Sequence, residues 1–270
     1  MKIKLIFSIL FIAILSSCEP TLISEFNDRP VVECYLKAGE SPVVTISKLI
    51  PFKDDVVFSS EDINNLVLTI KDDTSDEEFV LTSLGEGNYS NENLVAIANH
   101  QYTLSFIYDE IPVTATTIVP DSPVNMTLSA STISVRGYHS SDVAAPEADP
   151  MQSLEVTWEN PDSSYYVVAV VNIAEDPQQI WNTDTAPDIG FQTEPTRGCE
   201  TQIAQHSFNY YGNHNIILYK IRPEYAVMCN ALNNTTEYLS EVIANVKNGY
   251  GIFTGISGVS KPLYVFKANF

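Results

Sequence analysis

The chain has 270 residues, 44% of them hydrophobic and 10% aromatic, with 34 acidic against 14 basic side chains for a formal charge of −20. That much apolar material supplies one large core or two ordinary ones on a prior of about 100 to 200 residues per domain, and it excludes a chain disordered throughout. The acidic balance argues against nucleic acid as a partner, because phosphate backbones are held through lysine and arginine.

Lys2 and Lys4 precede Leu5 to Leu15, a nearly unbroken apolar run, and Ser16-Ser17 supplies the small residues that a signal peptidase accepts. The run is too short to remain as a span, since crossing the hydrocarbon takes about twenty apolar residues. Leu15-Ser16-Ser17-Cys18 resembles the bacterial lipobox, which implies removal of residues 1–17 and acylation of Cys18 as the new first residue. Residues 18–28 then read as a tether. Cleavage would remove two lysines and no acids, taking the formal charge from −20 to −22.

From residue 29 to 128 short runs rich in valine, isoleucine, threonine and tyrosine alternate with turn residues, the signature of strands. Val31–Leu36, Val43–Leu49, Leu66–Ile70, Glu78–Ser83, Tyr102–Tyr108 and Val113–Val119 are expected as strands of an immunoglobulin-like β-sandwich. Leu66, Leu68 and Ile70 fall on one face, as do Tyr102, Leu104 and Phe106, which is the period of a half-buried sheet. Pro120 and Pro123 mark a boundary. Residues 129–152 are poor in core residues, and 140–150, small and acidic with Pro146 and Pro150, read as a linker with an exposed loop.

Residues 153–270 are expected to form a second, mostly β domain. Leu154–Trp158 alternates, and Tyr165–Ile173 reads as a long buried strand after the turn Asn160-Pro161-Asp162. Trp158, the proline turn and Tyr165-Tyr166 locally resemble the start of fibronectin type III-like modules. Asp176–Trp181 is expected to form a helical turn, Ile203–Tyr210 and Ile216–Ile221 strands. Arg222-Pro223-Glu224 opens a helix, since proline's missing N–H has no partner in a first turn. Tyr225, Met228, Cys229 and Leu232 would share its face, and Asn233-Asn234 would stop it. Tyr238–Val246 is ambiguous between helix and strand. Gly249–Gly255 and Leu263–Phe266 read as two closing strands, the glycines marking close backbone approach.

Pro30-Val31-Val32-Glu33-Cys34-Tyr35-Leu36, Val44-Thr45-Ile46-Ser47-Lys48, Gly87-Asn88-Tyr89-Ser90, His100-Gln101-Tyr102-Thr103-Leu104 and the closing Asn248-Gly249-Tyr250-Gly251-Ile252-Phe253-Thr254-Gly255 together resemble the landmarks of a Bacteroidota lipoprotein family, domain of unknown function 4249. The resemblance implies an outer-membrane lipoprotein with an N-terminal sandwich and a second β domain, often encoded beside a TonB-dependent receptor. It carries over no catalytic residues. Cys34 departs from the pattern, which has glycine there.

Three cysteines remain beyond Cys18. Cys199 and Cys229 are the candidates for a disulfide in an exported chain, and Cys34 reads as a small buried thiol in a strand. The absence of a Cys-x-x-Cys pair gives a zinc ribbon no support. Asp72, Asp73, Asp76, Glu77 and Glu78 crowd a single turn. Calcium coordination and a solvated turn both fit that pattern, the turn better because the EF-hand spacing is missing. Asp142, Glu147 and Asp149 raise the same question more weakly. His206 and His214 flank the turn Tyr211-Gly212-Asn213 and could meet across a hairpin; His100 and His139 stand apart, and no His-x-x-x-His spacing occurs. Gly255-Ile256-Ser257-Gly258 lacks the spacing of a nucleophile elbow and is assigned to a strand end. Tyr138, Tyr210, Tyr211, Trp181 and Phe191 sit near loops, where rings grip sugars or peptides but more often fill cores. Thr185 in Asp184-Thr185-Ala186 resembles an O-glycosylation acceptor.

The expectation is therefore a non-enzymatic protein anchored to outer-membrane lipid through Cys18, with no cofactor and no metal, accessory to or binding for a TonB-dependent uptake system, on the periplasmic or the outer face. A surface or fimbria-like structural module is the alternative, and a glycan-acting hydrolase the third reading.

Overall fold

The structure, a computed structural model, describes residues 29–48, 61–137, 153–181, 187–233 and 245–268. The chain is mainly β. In order it forms β1 (Pro30–Lys37), β2 (Val43–Lys48), the short helix α1 (Glu61–Asn64), β3 (Thr69–Asp72), β4 (Glu77–Val80), β5 (Thr82–Gly85), β6 (Asn88–Ser90), β7 (Gln101–Tyr108) and β8 (Ile111–Ile118). Then follow β9 (Val124–Leu128), β10 (Thr132–Val135), β11 (Ser153–Glu159), β12 (Tyr165–Asn172), β13 (Gly190–Gln192), β14 (Glu200–Ala204), β15 (Gly212–Ile221), the helix α2 (Pro223–Asn233), β16 (Val246–Lys247) and β17 (Tyr250–Lys267).

Three sheets organise these strands. A nine-stranded sheet runs β13-β12-β15-β17-β1-β2-β6-β5, with β10 also on β17; a five-stranded sheet runs β16-β8-β7-β3-β4, and a three-stranded one β14-β11-β9. Alternation decides the faces. Val32, Cys34 and Leu36 of β1, with Tyr102, Leu104 and Phe106 of β7 and Val113 and Ala115 of β8, bury into a first core between the five-stranded sheet and one end of the large sheet. Leu154, Val156 and Trp158 of β11, Val168 and Val170 of β12, and Ile216 and Leu218 of β15 build a second core. Trp158 lies against Tyr166 with ring centroids 5.4 Å apart.

The closing segment departs from expectation. Gly249–Gly255 and Leu263–Phe266 are not separate strands: β17 is one strand of 18 residues. Its first half pairs in parallel with β1, Val31 opposite Tyr250 through Lys37 opposite Ile256, and the remainder pairs antiparallel with β15 as far as Gly212 opposite Val265. Phe253 enters the first core, Leu263 and Val265 the second. The intervening Ser257, Gly258, Ser260 and Lys261 break the apolar period that the eye follows, while the ladder of hydrogen bonds continues through them. Close approach makes glycine necessary here. At Gly251, φ is +92° and an added Cβ would lie 2.0 Å from the Val32 carbonyl oxygen, and at Gly255 it would lie 2.4 Å from that of Ile118.

Other boundaries shift in smaller ways. Leu66–Ile70 is strand only from Thr69, and Glu78–Ser83 divides into β4 and β5 because Leu81 turns into the core and its N–H is taken by the Leu68 carbonyl. Asp176–Trp181 is not helical: Gln179 bridges to Tyr210, and the Ile180 N–H donates to Asn209. Ile203–Tyr210 holds the end of β14 followed by a 3₁₀ turn at Gln205–Ser207. The expected helix forms as α2, with Ala226 and Cys229 buried and Tyr225 packed alongside; the side chain of Leu232 lies outside the described set.

Candidate functional site

On β15, Ile216 and Leu218 point into the second core, so Tyr219 and Ile221 point the opposite way; on β12, Val167 likewise opposes Val168. The register aligns these residues with neighbours from distant parts of the chain: Val167 is opposite Tyr219, and Ile256 is opposite both Ile221 and Lys37, two residues on from Tyr35. Helix α2 lies over this face and contributes Tyr225. The result is a cavity of about 260 Å³ lined by Tyr35, Val167, Gln192, Tyr219, Ile221, Tyr225 and Ile256. Tyr35 and Tyr225 meet edge to face, with centroids 5.8 Å apart and planes at 78°.

The polar groups around it are engaged with one another. The Tyr225 hydroxyl donates to Gln192 Oε1 at 3.2 Å, and Gln192 Nε2 donates to Cys229 Sγ at 3.8 Å. Burial pushes the Tyr225 hydroxyl and the Cys229 thiol up from their ordinary values. Burial also pushes up Tyr35, whose hydroxyl interacts with Glu33. At the other end of the helix's first turn, Glu224 Oε1 accepts from Thr117 Oγ1 at 2.9 Å and from Thr254 Oγ1 at 3.2 Å, tying α2 to β8 and β17 at once. The arrangement can hold a ring or a cluster of methyl groups against aromatic walls. It positions no nucleophile beside a base.

Several expected site residues are placed elsewhere. The disulfide between Cys199 and Cys229 is not formed: Cys199 is exposed just before β14, Cys229 is buried against Gln192, and both are free thiols. Cys34 is buried opposite Val44 and Phe253, where burial and then Glu33 push its thiol far up, so it is a packing residue. Three carboxylates of the acidic turn, those of Asp72, Asp73 and Asp76, are engaged within the protein. Asp72 accepts from the Thr74 and Ser75 N–H groups at 2.9 and 3.2 Å and meets His100 Nδ1 at 2.7 Å. Burial raises the Asp72 carboxyl, but the His100 ring and those two N–H groups outweigh it and hold the group below the ordinary aspartate value. Asp73 accepts from Gln101 and Thr103, and Asp76 pairs with Lys71. Among the described residues, no three histidines, cysteines or carboxylates gather as metal ligands.

His206 and His214 do not meet. His206 is exposed in its 3₁₀ turn, whereas His214 is buried, donating from Nδ1 to the Gly212 carbonyl at 3.0 Å and accepting at Nε2 from Asn172 Nδ2 at 3.2 Å. Ser257 lies within β17, 3.3 Å from Ser122 Oγ. Of the loop aromatics, Tyr210 donates to the Pro187 carbonyl, Trp181 to that of Phe208, and Phe191 packs on Phe208. Tyr211 helps to line a second cavity of about 340 Å³ with Gln178, Gln179, Tyr264 and Phe266. Cys18, Tyr138, His139, Asp142, Glu147, Asp149 and Thr185 lie outside the described residues.

Sequence reading did not single out Tyr219, Gln192 or Tyr35. Tyr35 alone carried a signal, an aromatic ring between the charged Glu33 and Lys37 on the outward phase of its strand.

Fold and cavity together define a mainly β chain with two hydrophobic cores and an aromatic hollow where β1, β15 and α2 converge. The chain belongs to the family described as domain of unknown function DUF4249, which it matches over residues 16–261. The crystal structure of chicken CNTN1 FN1-FN3 domains is similar at 13% identity and a TM-score of 0.27, covering 72% of this chain; the chain spans 59% of the length of that one. No curated protein matches. Among the described residues no helix is long and apolar enough to cross a membrane.

Proposed function

We propose that this protein is a non-enzymatic binding component tethered to the outer membrane through acylated Cys18 and accessory to a TonB-dependent uptake system. The observation that carries the reading is the sequence Lys2 to Cys18, whose charge, apolar length and small residues before cysteine fit a lipoprotein signal. Each buried methylene contributes about 0.8 kcal/mol, so more than one acyl chain makes the attachment durable while the acidic body stays in water. The tyrosine-lined cavity supports binding rather than turnover. Mass spectrometry of the mature protein is expected to show a diacylated cysteine at its N-terminus, and detergent extracts are expected to co-purify a receptor. An unmodified Cys18 sulfur, or uptake unchanged by deletion of the gene, would refute the reading.

A second reading, a subunit of a surface assembly, is favoured by the exposed Val80 and Leu84 at the outer strands β4 and β5. It requires multimers of the non-lipidated chain in sedimentation, and a monomer would count against it.

A further inference from the structure

We propose that the cavity beneath α2 binds an organic ammonium cation, a quaternary or fully alkylated ammonium head of about the size of choline's. The proposal deepens the binding reading above and rests on it, but its chemistry comes from the walls of the cavity alone.

Tyr35, Tyr219 and Tyr225 bring three π-systems to one hollow, two of them set nearly at right angles, while Val167, Ile221 and Ile256 form an aliphatic floor. Aromatic faces attract a cation through their quadrupole, most strongly where water is excluded, and alkyl substituents on nitrogen make van der Waals contact with aliphatic side chains. An enclosed cavity of about 150 Å³ suffices for benzene; this hollow, about 260 Å³ and open to solvent on one side, leaves room for a trimethylammonium group. The hydrogen-bonding groups point the same way. Tyr225, Gln192 and Cys229 form a closed chain of contacts, and Tyr35 is engaged with Glu33. A ligand that needs no hydrogen-bond partner meets no cost there, whereas a hydroxylated one would have to break those contacts.

Charge completes the match. Glu33 stands beside Tyr35, Lys37, which lies near Tyr219, is paired with Glu40, and the protein as a whole carries −20. An anion would approach against that field and a cation with it.

The test titrates the purified full chain with choline and with its uncharged isostere 3,3-dimethyl-1-butanol. Choline is expected to saturate the site and to bind at least tenfold more tightly than the alcohol, with affinity falling as sodium chloride is raised. Tyr225→Phe, which keeps the ring, should hold choline affinity within about threefold, Tyr225→Leu should lose at least tenfold, and Glu33→Gln should weaken choline several-fold without changing the alcohol. Equal affinity for the two probes would overturn the cation assignment while leaving a binding protein in place. Saturable binding of neither would overturn it too, as would loss of choline binding in a folded Tyr225→Phe protein. An unacylated Cys18 would defeat the anchor and not this site.

Discussion

The two cores differ in what they bury. The first, between the five-stranded sheet and β1-β2-β6, is almost wholly apolar, with Asp72 and Thr117 at its margins; the second lies beside Lys220, His214, Asn172 and Ser257, all buried. Lys220 Nζ reaches Asp121 at 2.8 Å and Asp162 at 2.7 Å, so an ammonium inside the sheet fastens the segment between the cores and the turn before β12. The contrast separates apolar burial, which should ignore pH, from titrating groups, which should not: Lys220 and His214 beside the second core, and Asp72 with His100 at the margin of the first. What joins them is β17.

The sharpest way to break the comparison is at that strand. Gly251→Ala forces a Cβ into the Val32 carbonyl at a left-handed position and should cost more than about 3 kcal/mol, with one urea transition reporting loss of both cores. Two separate transitions would show that the cores are independent. Next come the paired truncations: Phe253→Ala should cost about 3 to 5 kcal/mol and Leu263→Ala about 2 to 5, each emptying one core, with amide exchange rising first around the cavity it makes. Lys220→Met should cost about 1 to 3 kcal/mol, less than breaking a fully enclosed pair, because Asp121 and Asp162 are each 52% exposed and can rehydrate.

The smallest effects are resolved by pH. The hydrogen bond from Lys220 lowers the Asp162 carboxyl to about 2, against 3.8 ordinarily. A depressed carboxylate contributes stability above its unfolded value and loses it as pH falls through the folded one. The difference between wild type and Asp162→Asn, under about 1 kcal/mol for so exposed a group, should therefore persist at pH 6, shrink below about pH 4 and vanish near pH 2. Burial lowers the His214 ring from its ordinary 6.5, so the unfolded chain takes up a proton first and stability declines as pH falls below about 6.5; His214→Gln should flatten the stability profile between pH 7 and 5. The apolar side chains of the first core should contribute to neither slope, while Asp72 at its margin, held below its ordinary value, adds an acid-side slope of its own.

Strands were legible where one face is apolar and the other polar, as in β1, β2, β7 and β8, because that alternation is itself the mark of a half-buried sheet. Short strands such as β6 and β13, of three residues each, carried too few residues to show a period. β17 was read as two pieces because its ladder continues through a polar stretch, and backbone pairing leaves no trace in side-chain hydropathy. The cavity was not legible at all: Tyr35, Gln192 and Tyr219 are neighbours only through strand register, which a single sequence does not encode locally. The lone cysteines misled for a related reason, since oxidising surroundings permit a disulfide but only geometry makes one.

The parallel ladder between β1 and β17 joins the first described strand to the last. During synthesis β1 must therefore wait for nearly everything else before its inner neighbour emerges, a long delay of the kind that slows folding. A product halted before residue 250 would leave β1 and β15 as two raw borders in the middle of the largest sheet, each free to pair with another molecule. The last strand to be made is thus the one that closes the interior of the largest sheet.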